Sequence, residues 1–220
     1  MKRPKGKERI IVALDVPDLD RAASLVRTLK PYVGMFKVGL QLISAVGLPQ
    51  IVDWFYKQGC RAGQVFVDNK LHDIPNTIGA AARVISEMSV GMLNVHASSG
   101  LEGMRAAVEN SKSGPDTGGP EQFRDTLVLA VTVLTSLSEK QCEEMYGAYP
   151  AAKVLQMALM AQEAGVDGII CSPKEIGVLR ATEKLQNMLL VTPGIRPAWA
   201  AAGDQKRVMT TAEAVKVGGD

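Results

Sequence analysis

The chain has 220 residues, 46% hydrophobic and 22% charged, enough apolar material for the core of one sizeable domain. A formal net charge of +2 is too small to point to nucleic acid or a membrane surface as a partner. No apolar run approaches the roughly 18 residues of a membrane span, and no signal-peptide core is present. The three cysteines are far apart and the histidines number only two, which fits neither a disulfide framework nor a metal cluster and suits a reducing cytoplasm.

The opening MKRPKGKER, residues 1–9, reads as a basic solvated tail. The first apolar run follows at Ile10–Leu14. A helix comes next, because Asp18 precedes an apolar face at Leu19, Ala22, Ala23, Val26 and Leu29. Further runs at Val33–Val38, Gln64–Val67, Met92–Val95, Leu127–Val133, Gly168–Cys171 and Met188–Val191 alternate with helical patterns. Several, such as IIVAL and LVLAVTV, are apolar on both faces, as parallel strands covered on each side must be. Residues 111–122, SKSGPDTGGPEQ, form a turn-rich surface loop. Ser138-x-x-Gln141, Ser172-Pro173-x-Glu175 and Thr210-x-x-Glu213 have the spacing of capping boxes that open later helices.

Seven strand-then-helix units in one domain spanning 1–220 predict a (β/α) barrel rather than a doubly wound sheet. The polar residues support that choice. Asp15 ends the first strand, Lys37 lies within or at the end of the second, Asp68 and Lys70 end the third, His96 ends the fourth and Thr135 follows the fifth. A barrel gathers its chemistry at successive strand C-termini, whereas an open sheet gathers it at one switch point. The α/β architecture expected is therefore a (β/α)8 TIM barrel. Its eighth unit is missing here, since Gly218-Gly219-Asp220 stands where an eighth strand would begin, and a truncated chain is expected.

Within FVDNKLHDIPNT, residues 66–77, strand alternation places Asp68 and Lys70 on one face and Val67 on the other. Asp15 and Lys37 reach the same barrel mouth, giving an array of alternating charge in which each burial is offset by its neighbours. A structural ion-pair network accounts for any one of these residues, but less well for four converging at the catalytic end. His72 points away from the Lys70 face and is read as structural or hydrogen-bonding, and His96 is read as structural too. TPGIRP, residues 192–197, and the following AWAAAGDQKR form a long loop carrying Arg196, Gln205, Lys206 and Arg207. Arginine in a loop after a late barrel strand suits a phosphate dianion.

Ala-Leu-Asp at 13–15, Lys-Val-Gly at 37–39, the ten residues from Asp68 to Thr77, Asn-Val-His-Ala at 94–97, Leu-Thr-Ser at 134–136 and Thr-Pro-Gly-Ile-Arg-Pro at 192–197 together resemble orotidine 5'-phosphate decarboxylase. The resemblance runs from about Ile10 onward, and the 68–77 motif carries most of it. It implies that Lys70 is the catalytic lysine that protonates C6 as carbon dioxide leaves, with Asp68 beside the substrate carboxylate. Asp15 and Lys37 would hold the ribose hydroxyls and extend the charge network. Asp73 and Thr77 would reach the partner's site in a homodimer, Thr135 would lie near the pyrimidine, and Arg196 and Gln205 would belong to a phosphate loop. It also implies no metal, no organic cofactor and a place in pyrimidine synthesis. A Gly-Arg pair that the family carries after strand eight has no counterpart in these residues. The alternatives are a magnesium-dependent sugar-phosphate decarboxylase or aldolase sharing Asp-x-Lys-x-x-Asp, and a non-catalytic phosphate-ligand-binding barrel. The LHDIPNT and TPGIRP stretches favour the pyrimidine enzyme.

Overall fold

The computed structural model describes residues 3–112, 126–196, 199 and 209–220. Its sheet has seven parallel strands in sequence order: β1 (Ile11–Ala13), β2 (Met35–Gly39), β3 (Val65–Leu71), β4 (Met92–His96), β5 (Leu127–Val131), β6 (Gly168–Ile170) and β7 (Leu189–Val191). All seven apolar runs therefore became strands. Between and after them stand α1 (Leu19–Leu29), α2 (Leu40–Val46), α3 (Leu48–Lys57), α4 (Pro75–Glu87), α5 (Gly100–Ser111), α6 (Glu139–Tyr146), α7 (Pro150–Glu163), α8 (Ile176–Ala181) and α9 (Thr211–Lys216). No helix among the described residues is long and apolar enough to cross a membrane. The three cysteines are buried thiols.

Local chemistry sets the helix starts. The Asp18 carboxylate accepts from the Arg21 amide at 2.8 Å and caps α1, whose Ala22 and Val26 are buried. Ser138 with Gln141 and Thr210 with Glu213 form reciprocal capping boxes on α6 and α9. The Ser172–Glu175 box opens a short 3-10 turn that leads into α8. The turn-rich loop expected from residue 111 begins inside α5 and from residue 113 lies outside the described residues. Helices cover the sheet through side chains such as Phe55 of α3, whose ring lies 5.8 Å from that of Phe36 on β2.

The sheet is curled. Asp220 follows α9 yet donates its amide to the Leu190 carbonyl of β7 at 3.1 Å. Arg9, just before β1, donates to the Gly219 carbonyl at 3.2 Å, and Arg3 pairs with Asp220 at 3.7 Å. The approach to β1 and the flank of β7 are thus bridged. This refines the reading of residues 1–9 as a solvated tail. Residues 3–9 are largely exposed, but Gly6–Arg9 form a 3-10 turn tied down by those bonds. A side chain at Gly34 would put its Cβ 2.7 Å from the Glu8 carbonyl, so only glycine admits this backbone contact.

Arg180 of α8 anchors the same region. It donates to the carbonyls of Gly218 (2.8 Å), Met188 (2.7 Å) and Gln186 (3.2 Å) and pairs with the Asp220 carboxylate. Its side chain is 13% exposed and that of Asp220 3%, so these bonds are shielded from water. Arg180→Ala is expected to destabilise the fold by about 2–3 kcal/mol, the range for losing a buried charged donor, and to leave the distant charge cluster intact. Urea unfolding monitored by circular dichroism measures it. A midpoint unchanged from wild type would rule the anchor out.

Candidate active site

Strand register places the charged residues. Ala13 pairs with Lys37 and Lys37 with Phe66, while Gly39 pairs with Asp68. Asp15, two residues beyond Ala13, therefore stands level with Gly39 and Asp68 at the C-terminal ends of β1, β2 and β3. Lys37 lies one level below and shares a face with Gly39, so its long side chain rises into the space a side chain at 39 would fill. A Cβ on Gly39 would lie 3.3 Å from both the Asp15 carboxylate and the Lys37 ammonium. The glycine of Lys-Val-Gly leaves room for the pair.

The four residues form a continuous chain of opposite charges. Lys37 Nζ lies 3.4 Å from Asp15 Oδ1 and 2.8 Å from Asp68 Oδ2, and Lys70 Nζ lies 2.7 Å from Asp68 Oδ1. Exposure rises in both directions from Asp68: its side chain is 11% exposed, Lys70 31%, Lys37 22% and Asp15 66%. Burial pushes the Asp68 carboxyl up, but the Lys37 charge and hydrogen bonds from Lys37, Lys70 and Asn94 outweigh it. Asp68 is held below the usual carboxylate range.

Asp68 and Lys70 meet by a different route from regular strand alternation. Val67 pairs with Leu93, but the next pair is Leu71 with Val95. Three residues of β3 thus face one of β4, a bulge of two extra residues. Lys70 takes up the bulge with φ of 51°, left-handed backbone that costs an ordinary side chain about 1–2 kcal/mol. The one facing residue is Asn94, wholly buried. Its Oδ1 accepts from the Lys70 amide and its Nδ2 donates to Asp68 Oδ1, both at 2.7 Å. Sequence reasoning singled out no role for Asn94, although an amide inside the apolar run Met-Leu-Asn-Val was a visible signal.

Around this cluster His72 and His96 lie with ring centroids 5.0 Å apart. His72 Nε2 is 3.3 Å from Ser98 Oγ, the hydrogen-bonding position expected of it. Burial, with repulsion from His72 and Lys70 added, lowers the His96 pKa against the pull of Asp68, which favours a neutral ring. Asp73 and Thr77 are exposed at the start of α4, and Asp73 Oδ1 accepts from the Ile74 amide at 2.7 Å. Among the described residues, no hydrogen bond or ion pair joins either of them to the Asp15–Lys70 chain. Thr135 is half-buried in the loop after β5.

Arg196 is half-buried beyond β7. Its amide donates to the Met209 carbonyl at 3.0 Å, beside a parallel bridge between Ile195 and Met209. Its guanidinium donates to the Ile195 carbonyl at 2.9 Å. Gln205, Lys206 and Arg207 lie outside the described residues.

Residues 8–220 match the Orotidine 5'-phosphate decarboxylase / HUMPS family. The chain is 45% identical over 219 residues to the orotidine 5'-phosphate decarboxylase of Syntrophomonas wolfei subsp. wolfei, covering 98% of this chain and 88% of that one. It is 44% identical over 223 residues to the protein of the same name from Moorella thermoacetica, covering 99% and 84%. Among solved structures, orotidine 5'-phosphate decarboxylase from Lactobacillus acidophilus superposes with a TM-score of 0.78 at 31% identity, covering 96% of this chain and 86% of that one.

Proposed function

The chain belongs to the Orotidine 5'-phosphate decarboxylase / HUMPS family, and from that premise we propose that it converts orotidine 5'-monophosphate to uridine 5'-monophosphate and carbon dioxide in pyrimidine synthesis. It is a carboxy-lyase by that membership. The observation that carries the specific reading is the Asp15–Lys37–Asp68–Lys70 charge chain at the C-terminal ends of three adjacent strands. The seven strands are read as those of a (β/α)8 barrel. Asp220 lies against β7 where the eighth strand of such a barrel would run.

Loss of carbon dioxide from C6 leaves an electron pair on a carbon with no adjacent sink. Fixed charges must stabilise it when neither metal nor organic cofactor takes part. Lys70 supplies the positive charge and then the proton: its N–H bond breaks as the C6–H bond forms, and the ammonium becomes an amine. Asp68 repels the substrate carboxylate, a charge that disappears with carbon dioxide. Two unit charges about 4 Å apart at an effective dielectric near 20 interact by roughly 4 kcal/mol, about a thousandfold in rate if fully converted. Repulsion is thus the smaller contribution and Lys70 the larger. Both oxygens of Asp68 are engaged by ammonium groups, which favours this role over that of a metal ligand.

The remaining roles follow from that reading. Asp15 and Lys37 hold the ribose hydroxyls, Thr135 contacts the pyrimidine, and Arg196 with Gln205 binds the phosphate. Remote phosphate binding then holds the ring against the Asp68 charge. Asp73 and Thr77 serve the neighbouring site of a cytoplasmic homodimer. Their exposure supports this, as do the apolar Ile74 (66% exposed), next to Asp73, and Val84 (54%), which lines a groove of about 540 Å³ between α4 and α5.

The test is the fall in ultraviolet absorbance of orotidine 5'-monophosphate in the presence of chelator. Turnover is expected. Activity that returns only with added magnesium would point to the sugar-phosphate class instead. Binding of uridine 5'-monophosphate without turnover would point to a ligand-binding barrel.

A further inference from the structure

We propose that Asn94 is a positioning residue for the decarboxylation, holding Asp68 and Lys70 in the bulged geometry that joins them. The inference rests on the decarboxylase reading above. Regular parallel pairing beyond Val67 would leave Asp68 and Lys70 to the alternation of a flat strand. Instead, two extra residues enter β3, and the ladder resumes only at Leu71 opposite Val95. A bulge of that size removes the neighbouring backbone partners that normally hold a strand in place. The Asn94 carboxamide fills the gap, since it bonds the backbone of one residue and the side chain of the other.

Its chemistry suits both partners at once. The Lys70 amide can only donate, so it takes the carboxamide oxygen. The Asp68 carboxylate can only accept, so it takes the NH₂ group. These two bonds fix the orientation of the amide without ambiguity. Asp68 Oδ1 thereby receives both Asn94 Nδ2 and Lys70 Nζ at 2.7 Å, and Oδ2 receives Lys37. The carboxylate cannot rotate without breaking one of them. Asn94 is 0% exposed and touches no solvent, so a direct role with substrate is excluded and it acts through its neighbours.

The experiment compares Asn94→Ala and Asn94→Asp with wild type, measuring kcat for orotidine 5'-monophosphate, Kd for uridine 5'-monophosphate and thermal unfolding. Asn94→Ala is expected to lower kcat about a hundredfold, the scale of an ångström-level misplacement of a reacting group, with Kd nearly unchanged. Asn94→Asp provides a readout that a purely structural role would not move. Ionised, its carboxylate opposes Asp68. Protonated, its O–H donates to Asp68 Oδ1 while its carbonyl accepts from the Lys70 amide, reproducing the native pattern. The ratio of its kcat to that of wild type should therefore recover about tenfold on acidification from pH 8 to pH 5. The other titrating or charged groups facing this point are Lys70 on β3, Lys37 on β2, His96 on β4 and His72 beyond β3. They are present in both proteins, so any pH dependence of the ratio originates in the residue at position 94 and its coupling to them.

A kcat for folded Asn94→Ala within about threefold of wild type would overturn the proposal. So would a ratio for Asn94→Asp that is flat with pH, which remains decisive if the alanine variant fails to fold. Absence of turnover in wild type would instead refute the decarboxylase reading itself, and the role of Asn94 with it.

Discussion

Lys70→Ala is expected to lower kcat by at least about 10⁴-fold while the affinity for uridine 5'-monophosphate changes by less than about tenfold. Two effects multiply. A preorganised charge aimed at a developing anion contributes about 10²–10³, and a positioned general acid contributes about 10²–10⁴. In the proposed arrangement, product binding depends on ribose and phosphate contacts made by residues other than Lys70. Folding survives because Asp68 keeps Lys37 at 2.8 Å and Asn94 at 2.7 Å after Lys70 is gone. Lys70→Arg separates the two effects. A guanidinium keeps the positive charge but holds its protons far more tightly than an ammonium and does not give one up. Partial recovery by arginine would assign the recovered part to charge and the remainder to proton transfer. An alanine variant within about tenfold of wild type would remove Lys70 from the chemistry.

How far the sequence carried the fold can be judged from β3 and its neighbours. The apolar run Gln64–Val67 announced a strand whose end was read at Asp68 and Lys70, and the strand runs to Leu71. What the run could not report is that this polar end is held by a side chain of β4 as well as by its own ladder. The same cause hid Asn94. Period-two alternation predicted that Asp68 and Lys70 would share a face, and the two do meet at 2.7 Å, but through a left-handed Lys70 in a bulge. Pairwise register is a property of two strands together, and no single run of residues contains it. The level arrangement of Asp15, Gly39 and Asp68, in contrast, followed from strand ends that were legible, so that part of the charge chain was anticipated. A role for Asp73 and Thr77 was expected only through resemblance, since nothing local distinguishes two exposed polar residues at a helix start from ordinary surface. Arg196 is seen beside the Ile195–Met209 bridge, and Gln205 lies outside the described residues.

Asp68→Asn should lower kcat about a thousandfold, the electrostatic figure derived above, and should also change how stability depends on pH. The substitution keeps the shape of the side chain but leaves Lys37 and Lys70 facing a neutral amide, with only the largely exposed Asp15 as counter-charge. Breaking a buried ion pair costs about 3–5 kcal/mol. Lys37 and Lys70 are 22% and 31% exposed and regain some hydration, so about 1–3 kcal/mol is expected here. The sign with pH follows from the direction of the Asp68 shift. Its pKa is lower in the folded protein than in the unfolded chain, so its contribution is complete above the ordinary carboxylate value of about 3.9 and is lost as pH falls through the folded value. Asparagine does not titrate. The stability gap between wild type and variant should therefore stay constant from neutral pH down to about 4 and narrow below it. Urea unfolding at a series of pH values measures that gap. If it stayed constant to pH 2, the ionised Asp68 could not be what holds the two lysines. A gap that closes in acid, together with lost turnover at neutral pH, would tie the fold and the chemistry to the same charge.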